Sequence, residues 1–410
     1  MTATVAIITR GRDPRLLSTV EQAILTAPEG TQILVVWDGP ERGQALPADV
    51  RQVQTDDRPR GTSYARHTAM IESENDMVIL CDSHLDFPAG WVEAYTEHLA
   101  KYPKHIVCSR CEMIGRGQGS IYNGANLRLK VEGPQSTGVC RKPGERQALA
   151  AQWRTEKTAG PVMAVMGACY GITKKNYKAM NAPWQYGTGW GCDEETISLA
   201  AWYMGGLCWL LPQVIGHHKQ SLATYQKNDT DGAGVMANRQ RVVEMVTDDA
   251  QRTDLQIWMG QADNEMVPMA ALAKLREFYK DKGRRTWADL WGAWAAAITR
   301  PMLIDALEQN GLQLSQKLRR AKRDQLLKLW QETEPEDRHQ ATAPTAQPKL
   351  PPAPAGDVSQ VIVRRVERCG RCNGIGTIKQ IEGMRDLGPF GQANGRCNKC
   401  GHKAVIRRVA

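Results

Sequence analysis

Two strand ends that carry histidine and one run of acids are the residues of this chain best suited to chemistry. Asp82-Ser83-His84 follows the apolar run Met77 to Cys81 without a break. That run has the length and branching of a buried strand. A buried parallel strand delivers its next residues to the carboxyl edge of its sheet, where open α/β sheets bind ligands. Two apart in extended geometry, Asp82 and His84 point the same way. A carboxylate beside an imidazole at such an edge can hold a divalent cation; the plainer alternative is a turn aspartate and a surface histidine. Leu207 to Ile215 reads as a second strand, delivering Gly216-His217-His218. This is the further histidine that an Asp-x-His half-site needs, and because neighbours in a strand alternate in direction, only one of the two can ligate easily. Asp193-Glu194-Glu195 opens a helix running to Tyr203, where acids also meet the positive end of the helix dipole.

The elements that must position these groups alternate from the first residues. Thr4 to Thr9 reads as a strand, Pro14 to Ala27 as a helix and Thr31 to Trp37 as a strand ending in the turn Asp38-Gly39-Pro40. A helix over Thr62 to Ser73, the strand into Asp82 and a helix over Trp91 to Lys101 follow. Such alternation predicts a parallel α/β sheet with right-handed crossovers. The strand ends at Thr9, Asp38 and Asp82 then share one edge, which is the expected site. Cys111 to Lys157 reads as irregular loop with short strands. Glu265 to Thr299 and Pro301 to Thr333 read as helical, with Trp287, Trp291 and Trp294 lining one helix face. Core packing is the expected role of those tryptophans, with an acceptor-stacking platform as the alternative. The cluster Lys317, Arg319, Arg320, Lys322 and Arg323 reads as a solvated face. Glu334 to Asp357 is a Pro/Ala-rich linker.

Beyond the linker, Cys369-x-x-Cys372 is followed 25 residues later by Cys397-x-x-Cys400. Two such pairs at this separation predict one structural Zn²⁺ in tetrahedral sulfur coordination, which a segment this small would need in order to fold. The formal net charge is +9, and from Ser359 to Ala410 eleven Lys and Arg face three acids, so nearly all of the surplus lies there. A polyanion is the natural partner of that tail, with nucleic acid first and a protein as the alternative. The start of the chain reads as a strand followed by charge, not as a secretion signal, and no apolar run is long enough to span a membrane. A cytoplasmic location without membrane attachment is expected, in the host cytoplasm if the protein is viral.

From Thr4 to Lys219, the segments IITRGRDPRLLSTV, Arg60 to Trp91, WGCDEETISL and IGHHK resemble, in that order, the polypeptide N-acetylgalactosaminyltransferases and the broader family-2 glycosyltransferases of GT-A fold. The resemblance implies a Rossmann-like nucleotide-sugar-binding domain. It implies metal ligation by Asp82, His84 and His217, with Mn²⁺ or Mg²⁺ bridging the donor diphosphate. Thr9 and Asp38 match nucleoside contacts, Arg66 an arginine near the diphosphate, and Trp190 an aromatic beside the transferred sugar. Asp193, with Glu194 next to it, matches an acid that touches sugar hydroxyls or serves catalysis. Two departures stand out: Trp37 replaces the first of two acids at the second strand's end, and Gly191-Cys192-Asp193-Glu194 replaces Gly-Gly-Glu-Asn. The CGRCNGIG wording resembles zinc modules of DnaJ-type chaperones and of phage antitermination proteins.

The expected organisation is therefore a GT-A domain over 1–232, a helical extension over 233–333, a disordered linker over 334–358 and a zinc ribbon over 359–410. The expected activity is transfer from a nucleotide sugar, UDP-linked first, to an acceptor hydroxyl such as that of a hydroxymethylated pyrimidine in DNA. A cytoplasmic protein or polysaccharide acceptor is the alternative, and a nucleic-acid-binding regulator with an inactive GT-A fold comes third.

Overall fold

The computed structural model describes residues 2–333 other than 12, 41–42, 44, 115–120, 134–143, 167, 219–231, 261–266 and 293, together with 392–396 and 403–407. In chain order the elements are β1 (Ala3–Thr9), α1 (Leu16–Thr26), β2 (Gln32–Trp37), β3 (Arg51–Gln54), α2 (Thr62–Glu72), β4 (Met77–Asp82), β5 (Leu85–Asp86) and α3 (Trp91–Lys101). Then come β6 (Ile106–Ile114), β7 (Ile121–Tyr122), β8 (Ala125–Glu132), β9 (Arg146–Trp153), β10 (Gly160–Val162), β11 (Cys169–Thr173), α4 (Lys174–Ala179), α5 (Asp193–Tyr203) and β12 (Cys208–His218). The described helices beyond β12 include Gly232–Glu244, Asp249–Met259, Met269–Lys282, Arg300–Gln309 and Arg323–Glu332.

The main sheet runs β10-β12-β6-β11-β4-β1-β2-β3. Its half around β4, β1, β2 and β3 is parallel, with Ile8 opposite Asp82 and Thr9 opposite Trp37. The three polar strand ends therefore share one edge, as the alternation predicts. The other half corrects the all-parallel expectation. β11 lies antiparallel between β4 and β6, and β10 is antiparallel to β12. Alternation of strand and helix stops after α3, so nothing in the chain enforces parallel crossovers there. The stretch 111–157, expected as irregular loop with short strands, does hold strands, but β8 and β9 are longer than expected, eight residues each and paired antiparallel.

Alternate residues of β1 feed the two faces of the sheet. Val5 and Ile7 pack with Leu16 and Val20 of α1 and with Trp91, Tyr95 and Leu99 of α3. Ala6 and Ile8 pack with Ala65, Ala69 and Met70 of α2 and Ile197 of α5. Full burial of side chains this size stabilises by about 1.5–3 kcal/mol each. The later helices join the same cores: Leu272, Tyr279, Trp287 and Leu290 on the α2 face, and Leu303, Leu307 and Trp330 on the α3 face. Trp287 is buried, while Trp291 and Trp294 pack partly buried against the cores, so the tryptophans serve packing. Among the described residues the helical reading of this stretch is met by Met269–Lys282, the α-helix Trp287–Gly292 and the 3₁₀ turn Trp294–Ala297.

The chain divides into two compact units, 1–341 and 342–410. In the second, β13 (Gln392–Arg396) and β14 (Lys403–Arg407) form an antiparallel hairpin with Gln392 opposite Arg407. Cys369, Cys372, Cys397 and Cys400 lie outside the described residues, as does the whole 334–358 linker. Among the described residues no helix is long and apolar enough to cross a membrane.

Candidate active site

Asp82, His84 and His217 converge at the strand edge, each with a ligand atom within 4.8 Å of the others. Chain order explains how. β4 ends on Asp82, and β5 starts immediately after His84 and pairs with β12, setting His217 opposite Leu85. The His218 amide donates to His84 O at 3.0 Å, closing the same ladder. Strand alternation then decides between the two histidines. His217 faces His84, with 3.2 Å between their Nε2 atoms, whereas His218 Nε2 turns to Asp86 Oδ2 at 2.8 Å.

Asp13, in the loop after β1, holds the first imidazole. Its Oδ2 receives Ser83 Oγ at 2.5 Å and lies 3.0 Å from His84 Nδ1, while Oδ1 accepts the Arg15 amide at 2.9 Å. Burial would raise this carboxyl, but the hydrogen bonds from His84, Ser83 and Arg15 outweigh it and hold Asp13 below the ordinary range. An ionised Asp13 must accept, so a proton on His84 Nδ1 faces it and Nε2 is the ring nitrogen turned toward His217. Burial, then the neighbouring His84, pushes His217 down to about 3. Its Nδ1 is buried, with no hydrogen-bond partner among the described residues. Burial raises Asp82, with Arg66 and His84 opposing and Glu194 and Asp13 adding to the rise. Two imidazoles nose to nose beside a carboxylate that burial disfavours make a poor arrangement for packing alone. It fits a divalent cation bound by two nitrogens and an oxygen, with coordination positions left for substrate oxygens.

Arg66, one turn into α2, is buried between acids. It pairs with Asp82 at 3.4 Å and contacts Asp193 Oδ2, and its guanidinium lies 4.9 Å from the centre of the Tyr170 ring. Tyr170 OH also donates to Asp193 at 3.3 Å. The three acids at the start of α5 thus divide their work. Asp193 is committed to Arg66 and Tyr170. Glu195 accepts the Ala151 amide at 3.0 Å, and burial, then Glu194, raises it to about 7. Glu194, half-buried, is the acid whose charge reaches Asp82.

A second support lies along β2. Asp38 accepts the backbone N–H groups of Arg60 at 2.7 Å and Gly61 at 2.9 Å and the hydroxyl of Thr55 at 3.2 Å, so its carboxylate shapes the turn into α2. That turn pairs with Gly189: Thr62 N donates to Gly189 O at 3.1 Å and Gly189 N to Arg60 O at 2.9 Å. Gly61 has φ +97°, and a Cβ there would lie 1.9 Å from Gly189 O, so only glycine permits the contact. Asn238, on the helix Gly232–Glu244, donates to Trp190 O at 3.1 Å and accepts the Thr188 amide at 3.2 Å. Trp190 is therefore carried on a segment pinned from two sides. Thr9 stands at the end of β1 with its hydroxyl buried and without a partner among the described residues.

The structure thus brings together Asp82, His84, His217, Arg66, Asp193 and Glu194. It sets Asp38 against backbone N–H groups rather than into open space. Sequence reasoning missed Asp13, Tyr170 and Asn238. For Asp13 a signal existed, an acid four residues past the end of β1 on the predicted edge; for the other two, nothing local marks them.

Residues 4–155 match the family model described as Glycosyl transferase family 2. The matched segment covers the strands that end at Thr9, Asp38 and Asp82. The chain is 23% identical over 218 residues to "Probable N-acetylgalactosaminyltransferase 6" of Caenorhabditis elegans, spanning 50% of this chain and 33% of that protein. It is 24% identical over 228 residues to "Polypeptide N-acetylgalactosaminyltransferase 5" of Mus musculus, spanning 54% of this chain and 24% of the relative. It therefore spans about a third or less of the length of these relatives. Among solved structures it resembles the crystal structure of GalNAc-T7 with UDP, GalNAc and Mn2+, with a TM-score of 0.57 and 17% identity over 73% of this chain and 58% of that one. The architecture is accordingly GT-A-like, a mixed α/β sheet.

Proposed function

We propose that this protein is a divalent-metal-dependent glycosyltransferase that moves a sugar from a nucleotide sugar, UDP-linked as the first candidate, to an acceptor hydroxyl. The observation that carries the proposal is the convergence of Asp82, His84 and His217 beside the buried Arg66, at the strand edge of a sheet whose residues 4–155 match the family-2 model. Asp82, His84 and His217 would hold the cation. Mn²⁺ is favoured over Mg²⁺, which is usually held by oxygen ligands alone; the GalNAc-T7 structure contains Mn2+ and UDP. When bound, the cation supplies charge neutralisation for the departing diphosphate. Arg66 adds positive charge in a buried setting, where it acts at little reorganisation cost. Thr9, with its unpartnered hydroxyl, faces the nucleoside, and Asp38 shapes the turn that borders it. Trp190 lies beside the sugar. Glu194 orients sugar or acceptor hydroxyls, and Asp193 keeps Arg66 in place.

The acceptor is read from charge. The basic surplus of 359–410 favours a polyanion, and a hydroxymethylated pyrimidine in DNA supplies both the polyanion and the hydroxyl. Cys369, Cys372, Cys397 and Cys400 would bind one structural Zn²⁺; in the sequence the second pair stands between β13 and β14. Thiolate ligation and the six unbonded cysteines among the described residues of the first unit suit a reducing compartment, hence the cytoplasm, or the host cytoplasm for a viral protein. A polypeptide acceptor is the second reading, favoured by the names of the curated relatives.

UDP-sugar hydrolysis with Mn²⁺, present in the wild type and lost in Asp82→Ala, tests the activity. Hydrolysis absent from both would leave the fold without a transferase. Mass spectra of hydroxymethylated DNA and of peptides after reaction, for wild type and Cys369→Ser, separate the acceptors. A hexose-sized increment on peptide alone, unaffected by Cys369→Ser, would sink the DNA reading.

A further inference from the structure

Beside the turn that Asp38 shapes lies a groove of about 530 Å³ whose walls include Arg58, Arg60, Arg241, Gln185, Tyr186 and Thr188. Among the described residues no carboxylate lines it, and neither do Thr9, Asp38, Arg66, Asp82, His84 or His217. It is thus a separate basic recess and not the place where the cation and diphosphate would sit. Two of its arginines are held in place. The Arg60 guanidinium lies 4.2 Å from the centre of the Tyr64 ring and is steadied by Asp56 at 3.1 Å, while its backbone is fixed by Asp38. Arg241 is buried and bonded to Asn238, the residue that pins the Trp190 segment. Thr188 borders the groove and lies two residues before Trp190, so a molecule in the groove lies against the segment that carries this tryptophan.

Guanidinium groups offer forked donors that match phosphate oxygens. An aromatic ring among them gives a base a surface to stack on, the combination by which proteins hold single strands. We propose that this groove binds a strand of nucleic acid through its phosphates, with a base against Tyr186, and so leads an acceptor strand toward the transfer site. This deepens the reading of the acceptor given above and rests on it.

The test uses the full-length protein and a short single-stranded oligonucleotide carrying 5-iodouracil, irradiated and mapped by peptide mass spectrometry. Crosslinks are expected on Tyr186 or Tyr64. In the double variant Arg58→Gln/Arg60→Gln, these crosslinks should fall at least several-fold. The slope of log K against log salt should flatten by about 1.4, at ~0.7 for each phosphate that the variant no longer neutralises. Mn²⁺-dependent hydrolysis of the UDP-sugar and the thermal midpoint should not change. Crosslinks confined to 359–410 would overturn the proposal. So would competition by polyglutamate equal to that of the oligonucleotide at matched charge, or a double variant that loses donor hydrolysis but keeps oligonucleotide binding. The outcome is independent of the acceptor chemistry: crosslinks in the groove with no sugar on any base would refute the transfer reading alone, and sugar on DNA with an untouched groove would refute this one alone.

Discussion

Removing Asp13 should weaken the cation site without unfolding the protein. The carboxylate touches no candidate cation position itself; its work is to hold the Nδ1 side of His84, so that Nε2 is turned toward His217. Residues that orient a ligating histidine in this way contribute about 10–100-fold in metal affinity, or roughly 1.4–2.7 kcal/mol. That range agrees with the ~1.5–3 kcal/mol expected of one hydrogen bond to a charged group. Asp13→Asn keeps an acceptor oxygen but loses the charge, and Asp13→Ala loses both, so the Mn²⁺ dissociation constant should rise in the order wild type, Asn, Ala. Titration calorimetry, or the paramagnetic resonance signal of free Mn²⁺, reads this directly, with far-ultraviolet circular dichroism as the check on folding. The Ala variant also strands Ser83 Oγ and the Arg15 amide, both of which now bond to Asp13. A modest loss of stability is therefore expected, but it would not by itself order the three dissociation constants. A folded Asp13→Ala protein that binds Mn²⁺ as tightly as wild type would refute the orienting role.

Other consequences follow from the same geometry. His217→Gln should cost more than ~100-fold in Mn²⁺ affinity, as loss of a ligand should exceed loss of a residue that orients one, whereas His218→Gln, which faces Asp86, should stay within a few-fold; equal losses in the two titrations would contradict the strand alternation. Gly61→Ala should destabilise by more than the ~1–3 kcal/mol of its positive φ, because a Cβ there strikes Gly189 O. Gly90→Ala, with φ +75° and open space around it, should cost only that strain, and urea denaturation of both variants checks the difference. Burial holds both His98 and His105 down to about 3, away from the active site, with Nε2 of one 3.1 Å from Nδ1 of the other. Unfolded histidine binds its proton near pH 6.5, so stability is intact above that value and falls as the pH drops from about 6.5 toward 3. The slope is up to ~1.4 kcal/mol per pH unit for each histidine, and urea midpoints at pH 7, 6 and 5 that do not move would exclude it.

How much of this was legible in the sequence depends on how far apart the cooperating residues lie. Asp82 and His84 were readable because a buried strand announces its own end, and the alternation of β1, α1 and β2 fixes which ends share an edge. His217 could be placed only as one of two, since its direction comes from the pairing of β12 with β5, a two-residue strand too short to have a periodicity. The antiparallel insertion of β11 was hidden for a related reason: β11 is buried on both faces and reads as a featureless apolar run whichever way it points. The roles of the acids at α5 were the least legible. Their position fits a helix start equally well, and what distinguishes them is supplied by Arg66, Tyr170 and Ala151, residues distant in the chain. Arg66 in turn owes its place to α2, whose first turn is fixed by Asp38 and by a glycine that meets another glycine across the cleft. The site is therefore a product of pairings between loops and not of any one motif. The strand ends supply the ligands, while a carboxylate after β1 and another after β2, neither needed as a ligand, set the angles at which those ligands meet.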